Sequence, residues 1–183
     1  MTRRPRLLLA DDHPLFLDGV RRLLEPTYDV VGTVATGKAL IAAAQNLEPD
    51  IIVVDISMPE MNGLAAAQII RKTNPSAKFI VLSVHSHQAY AREAFRVGVR
   101  GFVSKRAAAV ELLTAIKQVL DGRTYVSPLV GPETPGASKE AKRLTLLVQQ
   151  VGDREHRLPT QVDVQQRGVE IVVVPGHPRH CRV

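Results

Sequence analysis

The sequence holds no tryptophan, one cysteine (Cys181), and seven aromatic residues in all, three tyrosines and four phenylalanines. A lone cysteine excludes an internal disulfide framework and fits a reducing compartment. Long apolar runs are also missing. Met1–Ala10 has a basic start and only Leu7-Leu8-Leu9-Ala10 before Asp11-Asp12, too short for a secretory leader or a membrane span, so the expected setting is the cytoplasm with no membrane partner. No Gly-x-Gly-x-x-Gly follows that first apolar run, and acids stand where a pyrophosphate would sit, which argues against a dinucleotide-binding domain. Charge is not massed either: 24 basic and 18 acidic residues give +6, with the basic residues in pairs such as Arg3-Arg4, Arg21-Arg22 and Arg71-Lys72. That balance permits a nucleic-acid partner without requiring one.

What is present is an alternation of short apolar runs and helical patterns. Ile51-Ile52-Val53-Val54 is a continuous β-branched run, the pattern of a strand buried on both faces, and it ends on Asp55. Similar runs lie at Leu7–Ala10, Asp29–Val34, Lys78–Leu82 and Phe102–Val103. Between and after them, helices are expected from Pro14 to about Glu25, Gly37 to Leu47, about Leu64 to Lys72, His87 to Val97 and Ala107 to Leu120. Pro14, Pro26, Pro49 and Pro75 punctuate these segments. On the first helix Leu15, Phe16, Val20, Leu23 and Leu24 are expected on one apolar stripe, and on the last Val110, Leu113, Ile116 and Leu120. The pattern predicts an α/β fold, a doubly wound five-stranded parallel sheet with an irregular C-terminal tail. Right-handed crossovers then carry the ends of all five strands to one edge.

Asp11 and Asp12 end strand one, Asp55 strand three, Ser83 strand four and Lys105 strand five. Clustered carboxylates repel one another, and the usual reason for tolerating them is a hard divalent cation, for which a small oxygen-lined pocket suits Mg²⁺. With Lys105 as a point charge and Ser83 as a hydroxyl, the edge holds a carboxylate nucleophile and the groups needed to neutralise a transferred phosphoryl group. A phosphatase with an aspartyl-phosphate intermediate would carry a second acid two residues after its nucleophile. That position is Ser57, so a switch is favoured over an enzyme.

The pair Asp11-Asp12, the segment Asp55-Ile-Ser-Met-Pro-Glu-Met-Asn-Gly63, Ser83 and Lys105 together resemble the receiver domain of two-component response regulators, over residues 5 to about 125. Asp11-Asp-His-Pro-Leu-Phe16 and Gly98-Val-Arg-Gly-Phe-Val-Ser-Lys105 look like the NarL/FixJ (LuxR-type) subfamily. The resemblance implies a flavodoxin-like receiver fold and phosphorylation of Asp55 by a sensor histidine kinase or a small phosphodonor. It implies Mg²⁺ on Asp12, Asp55 and the Ser57 carbonyl, with Asp11 acting through water. Ser83 and Lys105 would bind the phosphoryl oxygens, and Phe102 would stand as the switch aromatic, without the hydroxyl of the commoner tyrosine. The family's usual homodimer face runs from the fourth helix to the fifth strand. His85, two residues after Ser83, is placed to reach the mouth of the site and affect attack by water on the acyl phosphate.

The expected organisation is a receiver domain over 1–125, a linker over 126–142 and an atypical segment over 143–183. Residues 126–183 contain no aromatic residue and carry eight basic and six acidic residues. Lys142-Arg143-Leu144-Thr145 resembles the start of a NarL-type DNA-binding domain, but Pro159, Pro175 and Pro178 and a strand-like run at Val169–Val174 replace the further helices expected there. No helix-turn-helix can be read, so DNA is not legible as a partner. A frameshifted remnant of an effector domain is one account of the tail, and His177, His180 and Cys181 make only a crowded terminal ligand set. The resemblance points to transcriptional output; the alternative is a stand-alone receiver acting by protein contact or as a phosphate sink.

Overall fold

Runs of β-branched residues cannot turn one face to water, and here they build the middle of a sheet covered on both sides. The computed structural model describes residues 3–132, 142–148 and 150. Its elements are β1 (Arg6–Ala10), α1 (Pro14–Leu24), β2 (Asp29–Val34), α2 (Gly37–Leu47), β3 (Ile51–Asp55), α3 (Gly63–Thr73), β4 (Lys78–Ser83), α4 (Gln88–Arg96), β5 (Gly101–Ser104), a 3-10 turn (Lys105–Ala107), α5 (Ala108–Leu120) and β6 (Tyr125–Val126). All strand pairs are parallel, in the order β2-β1-β3-β4-β5-β6.

The doubly wound parallel α/β fold is as expected, but the sheet has six strands where five were read. The sixth pairs Gly101 with Tyr125 and Phe102 with Val126. Two residues are too few to leave an alternation in the sequence, and the outer edge of β5 supplies the reason to pair.

Strand side chains divide by parity between two cores. Leu8, Ala10, Ile52, Val54, Phe79, Val81 and Phe102 join the core cluster that includes residues of α2, α3 and α4. Leu7, Leu9, Ile51, Val53, Ile80, Leu82 and Val103 join the cluster that includes α1 and α5. Each of these side chains larger than alanine, fully buried, contributes about 1.5–3 kcal/mol. Helix starts are secured locally: Thr36 Oγ1 accepts from the Ala39 N–H at 3.2 Å, and Asn62 Oδ1 accepts from the Ala65 N–H at 2.8 Å.

Two helix faces differ from the sequence reading. Leu15 is 91% exposed and Val110 79% exposed, with Leu113 also at the surface. The buried line of α5 is instead Ala108, Leu112, Ala115, Ile116 and Val119, a stripe at three- and four-residue spacing rotated from the predicted one. Of the predicted α1 stripe only Val20 and Leu24 are buried.

Residues 127–131, after β6, are bonded to the domain. The Ser127 N–H donates to the Phe102 carbonyl at 2.8 Å, and the Gly131 N–H to the Ser86 carbonyl at 2.9 Å. Residues 142–148 are helical. The strand-like run at 169–174, the three prolines beyond 158 and the His177, His180, Cys181 group lie outside the described residues, as does most of the predicted linker.

Candidate functional site

The carboxyl ends of β1, β3, β4 and β5 meet at one edge because every strand is parallel. Asp55 is the last residue of β3 and 2% exposed. Asp11 and Asp12 directly follow β1, and Lys105 follows β5 as the first residue of the 3-10 turn. Lys105 Nζ lies 2.7 Å from Asp11 Oδ2 and 3.0 Å from Asp55 Oδ2, an ion pair in which all three side chains are buried. Its ammonium also sits 4.9 Å from the centroid of the Phe16 ring, whose face favours the cation.

Two acids and one cation leave the site short of positive charge. Ligand atoms of Asp11, Asp12, His13 and Asp55 all lie within 4.8 Å of one another, a group that could hold a metal ion. The buried oxygens Asp11 Oδ2 and Asp12 Oδ1 accept no directed hydrogen bond, although Lys105 and His13 stand at ion-pair distance from them. Buried carboxylate lone pairs without donors are costly, and a cation bound to oxygen would satisfy them. Asp55 carries the mark of this setting: burial pushes its carboxyl above the ordinary carboxylate range, Lys105 opposes the shift, and Asp11 reinforces it.

Ser83 ends β4 fully buried, with its Oγ accepting from the His85 N–H at 3.0 Å. Phe102 lies wholly inside the sheet in β5. Ser57 is exposed on the loop after β3, and its backbone N–H bonds to the Asp55 carboxylate. Asp11, Asp12, Asp55 and Lys105 are therefore one cluster, while Ser83 ends the neighbouring strand β4 and Phe102 lies within β5. The His85 ring stacks on Tyr90 with centroids 4.6 Å apart and an angle of 4° between planes, which holds it against α4.

Several participants were not singled out from sequence. His13 Nδ1 lies 3.1 Å from Asp11 Oδ1 and 2.9 Å from Asp12 Oδ1; its place directly after the acid pair was the available signal. Ser104 Oγ and Ser86 Oγ are hydrogen-bonded at 3.0 Å, tying the β4–α4 loop to β5, and no spacing rule marks that pair. Gly63 is the third. A Cβ there would lie 2.0 Å from the Asp55 carbonyl oxygen and 2.6 Å from Val54 Cγ2, so the first turn of α3 approaches β3 where only glycine fits. Gly63→Ala is expected to cost about 1–3 kcal/mol through overpacking, read as a lowered Tm with the same fold by circular dichroism. An unchanged Tm would mean that the loop yields freely.

A family model described as "Response regulator receiver domain" matches residues 7–117. The transcriptional regulatory protein DegU of Brevibacillus brevis is 34% identical over 141 residues, which cover 76% of this chain and 58% of DegU. The nitrate/nitrite response regulator protein NarL of Escherichia coli K12 is 35% identical over 141 residues, 76% of this chain and 65% of NarL. The chain thus spans less than two thirds of the length of these relatives. Among solved structures, a LuxR-family two-component response regulator from Aurantimonas sp. SI85-9A1 superposes with a TM-score of 0.67 at 32% identity, covering 77% of this chain and 99% of the other. The receiver domain of the NarL regulator of Mycobacterium tuberculosis gives a TM-score of 0.64 at 30% identity, covering 67% and 100%. Sheet order, acidic edge and buried lysine agree with these likenesses, and the chain belongs to the response regulator receiver domain family, with relatives of the NarL and LuxR type.

Proposed function

We propose that this protein is a phosphorylation-controlled switch in which Asp55 is the phosphoryl acceptor. The observation that carries the reading is the buried triad of Asp11, Asp55 and Lys105, with Lys105 Nζ at 2.7 and 3.0 Å from the two acids. The donor is a sensor histidine kinase or a small acyl phosphate. An Asp55 carboxylate oxygen attacks phosphorus, the bond from phosphorus to the donor breaks, and the leaving group departs with its electron pair, leaving an acyl phosphate on Asp55. Lys105 then exchanges part of its contact with Asp55 for a phosphoryl oxygen. Asp12, Asp55 and the Ser57 carbonyl would hold Mg²⁺, with Asp11 acting through water. When bound, the ion supplies positive charge for the phosphoryl oxygens.

The switch follows from Ser83. To donate to a phosphoryl oxygen its hydroxyl must aim its proton at Asp55 while a lone pair still accepts from the His85 N–H, so the loop it begins is drawn inward with it. Phe102 is already packed inside, so its part is to hold the inward packing by contact alone. A full change from 1:99 to 99:1 needs about 5.5 kcal/mol of differential interaction, within reach of several charge-assisted hydrogen bonds.

The domain reading that goes with this is a receiver over 1–125, a linker over 126–142 and an output segment over 143–183, acting in the cytoplasm. Transcriptional output is supported by the names of the relatives, and a homodimer through the face from α4 to β5 by the family resemblance. A receiver acting by protein contact alone is separated from this by whether the phosphorylated full chain retains specific DNA at moderate salt.

The experiment is incubation of the full chain with a small acyl phosphate, with and without Mg²⁺, followed by intact mass. One acid-labile phosphoryl group should appear only with the metal. Asp12→Ala should raise the Mg²⁺ concentration needed for half-maximal labelling by tenfold or more. No phosphoryl addition to the wild-type chain would reject the reading.

A further inference from the structure

His13 stands at the N-cap of α1, yet its side chain makes no capping bond to that helix. The ring lies instead against the acid pair that precedes it. His13 Nδ1 is 3.1 Å from Asp11 Oδ1 and 2.9 Å from Asp12 Oδ1. The His13 backbone N–H also donates to Asp11 Oδ1 at 3.0 Å, which ties the histidine to the carboxylate beside it. The His13 side chain is 65% exposed and that of Asp11 2%, so the ring nitrogen sits on the solvent side of an acidic pocket.

The two ring contacts differ in kind. Asp11 Oδ1 and His13 Nδ1 are hydrogen-bonded. Asp12 Oδ1 is a buried atom that accepts no directed hydrogen bond, although the same nitrogen is 2.9 Å away. A buried carboxylate oxygen with no aligned donor is costly, and a cation satisfies it. Around an ion with bonds of about 2.0–2.1 Å, neighbouring ligand atoms stand about 3.0–3.4 Å apart. The nitrogen and the two oxygens already have nearly that spacing. Asp11 Oδ1 is left for the purpose because Lys105 holds the other oxygen, Oδ2, at 2.7 Å. Among the described residues no other group of three or more histidine, cysteine or acidic side chains converges in this way.

The geometry points to His13 Nδ1, Asp11 Oδ1 and Asp12 Oδ1 as a ligand set for a borderline transition ion, with Zn²⁺ as the type, apart from the all-oxygen set assigned above to Mg²⁺. Mg²⁺ keeps oxygen ligands in an octahedral array and gains nothing from an imidazole. Imidazole suits Zn²⁺, Cu²⁺ and Ni²⁺. As a ligand, Nδ1 offers its lone pair and the ring proton sits on Nε2. Three protein ligands leave the fourth position of a tetrahedral ion to water. Both ions need Asp12, so they exclude one another, and His13 sets which metal the edge prefers. The inference concerns metal choice and stands whether or not Asp55 accepts a phosphoryl group.

Calorimetric titration of the full chain tests it, with Zn²⁺ and Mg²⁺ as separate probes. His177→Ala, His180→Ala and Cys181→Ser are carried in every sample, so that ions taken by those side chains are not counted. Against that background His13→Ala should weaken Zn²⁺ binding at least tenfold while Mg²⁺ affinity does not fall. His13→Gln keeps a polar side chain of similar size without the imidazole nitrogen, and should lose Zn²⁺ as His13→Ala does. Zn²⁺ affinity retained by either variant overturns the proposal. So does an equal fall for both ions, which would mean that His13 acts only by placing the acids. A chain that takes Zn²⁺ through His13 but no Mg²⁺ supports this ligand set and overturns the Mg²⁺ assignment alone.

Discussion

Asp55→Asn will take up no phosphoryl group from a small acyl phosphate under conditions that label the wild type completely, a loss limited only by detection in intact mass. The reason is that an amide has no anionic oxygen to attack phosphorus, while Asp11 and Asp12, whose oxygens lie within 4.8 Å of Asp55, are engaged by Lys105 and His13. Equal labelling of the variant would move the acceptor elsewhere and reject the assignment.

The same substitution carries a stability signature. Burial raises the Asp55 carboxyl above its ordinary value, more than Lys105 lowers it. A carboxyl whose folded value is raised favours the folded state most at pH below its unfolded value, and that contribution is lost as pH rises through the folded value. At neutral pH the raised carboxyl of Asp55 is therefore a net cost in metal-free protein, and Asp55→Asn removes it. The variant should show a higher Tm than the wild type in chelator at neutral pH, the gap narrowing as pH falls toward the ordinary carboxylate range. Added Mg²⁺ should raise the wild type more than the variant. A variant with lower Tm throughout would show that Asp55 stabilises the edge instead of straining it.

Lys105→Ala is the second large effect. Its ammonium is the only basic group within ion-pair distance of the buried Asp11 and Asp55 among the described residues apart from His13 on Asp11. Removing one partner of a buried ion pair leaves charge uncompensated and costs about 3–5 kcal/mol, or on the order of 10 °C in Tm for a domain of this size. The loss should be recovered in part by Mg²⁺, which replaces the missing charge, and little by salt, since buried groups are poorly screened. Lys105→Met separates charge from packing: it keeps an unbranched chain beside Phe16, so a Tm close to that of Lys105→Ala assigns the cost to charge. Both variants should still be labelled by a small donor with Mg²⁺, but without the change at the Ser83 loop that follows labelling of the wild type, because no side-chain ammonium remains to bind the phosphoryl oxygen. A Tm in chelator equal to the wild type would refute the electrostatic account.

Read from the sequence alone, strands and helices were legible wherever a local pattern decided them. Ile51–Val54 had to be buried on both faces, Pro14 had to open a helix, and parallel strands joined by right-handed crossovers had to bring Asp11, Asp55 and Lys105 to one edge. The gathering of those residues at one edge was legible for the same reason, since strand ends are positions along the chain. What depended on packing between distant segments was not. Leu15 and Val110 share the apolarity of their neighbours and still face water, because α1 turns Val20 and Leu24 inward and α5 turns Ala108, Leu112, Ala115, Ile116 and Val119 inward. β6 exists only because β5 offers an edge, and His13 and Gly63 matter only through what lies across from them. The seat of Thr145 on Glu93 joins residues 52 positions apart. No periodicity encodes such a pair; it forms only when the folded domain presents the buried carboxylate of Glu93 to the hydroxyl.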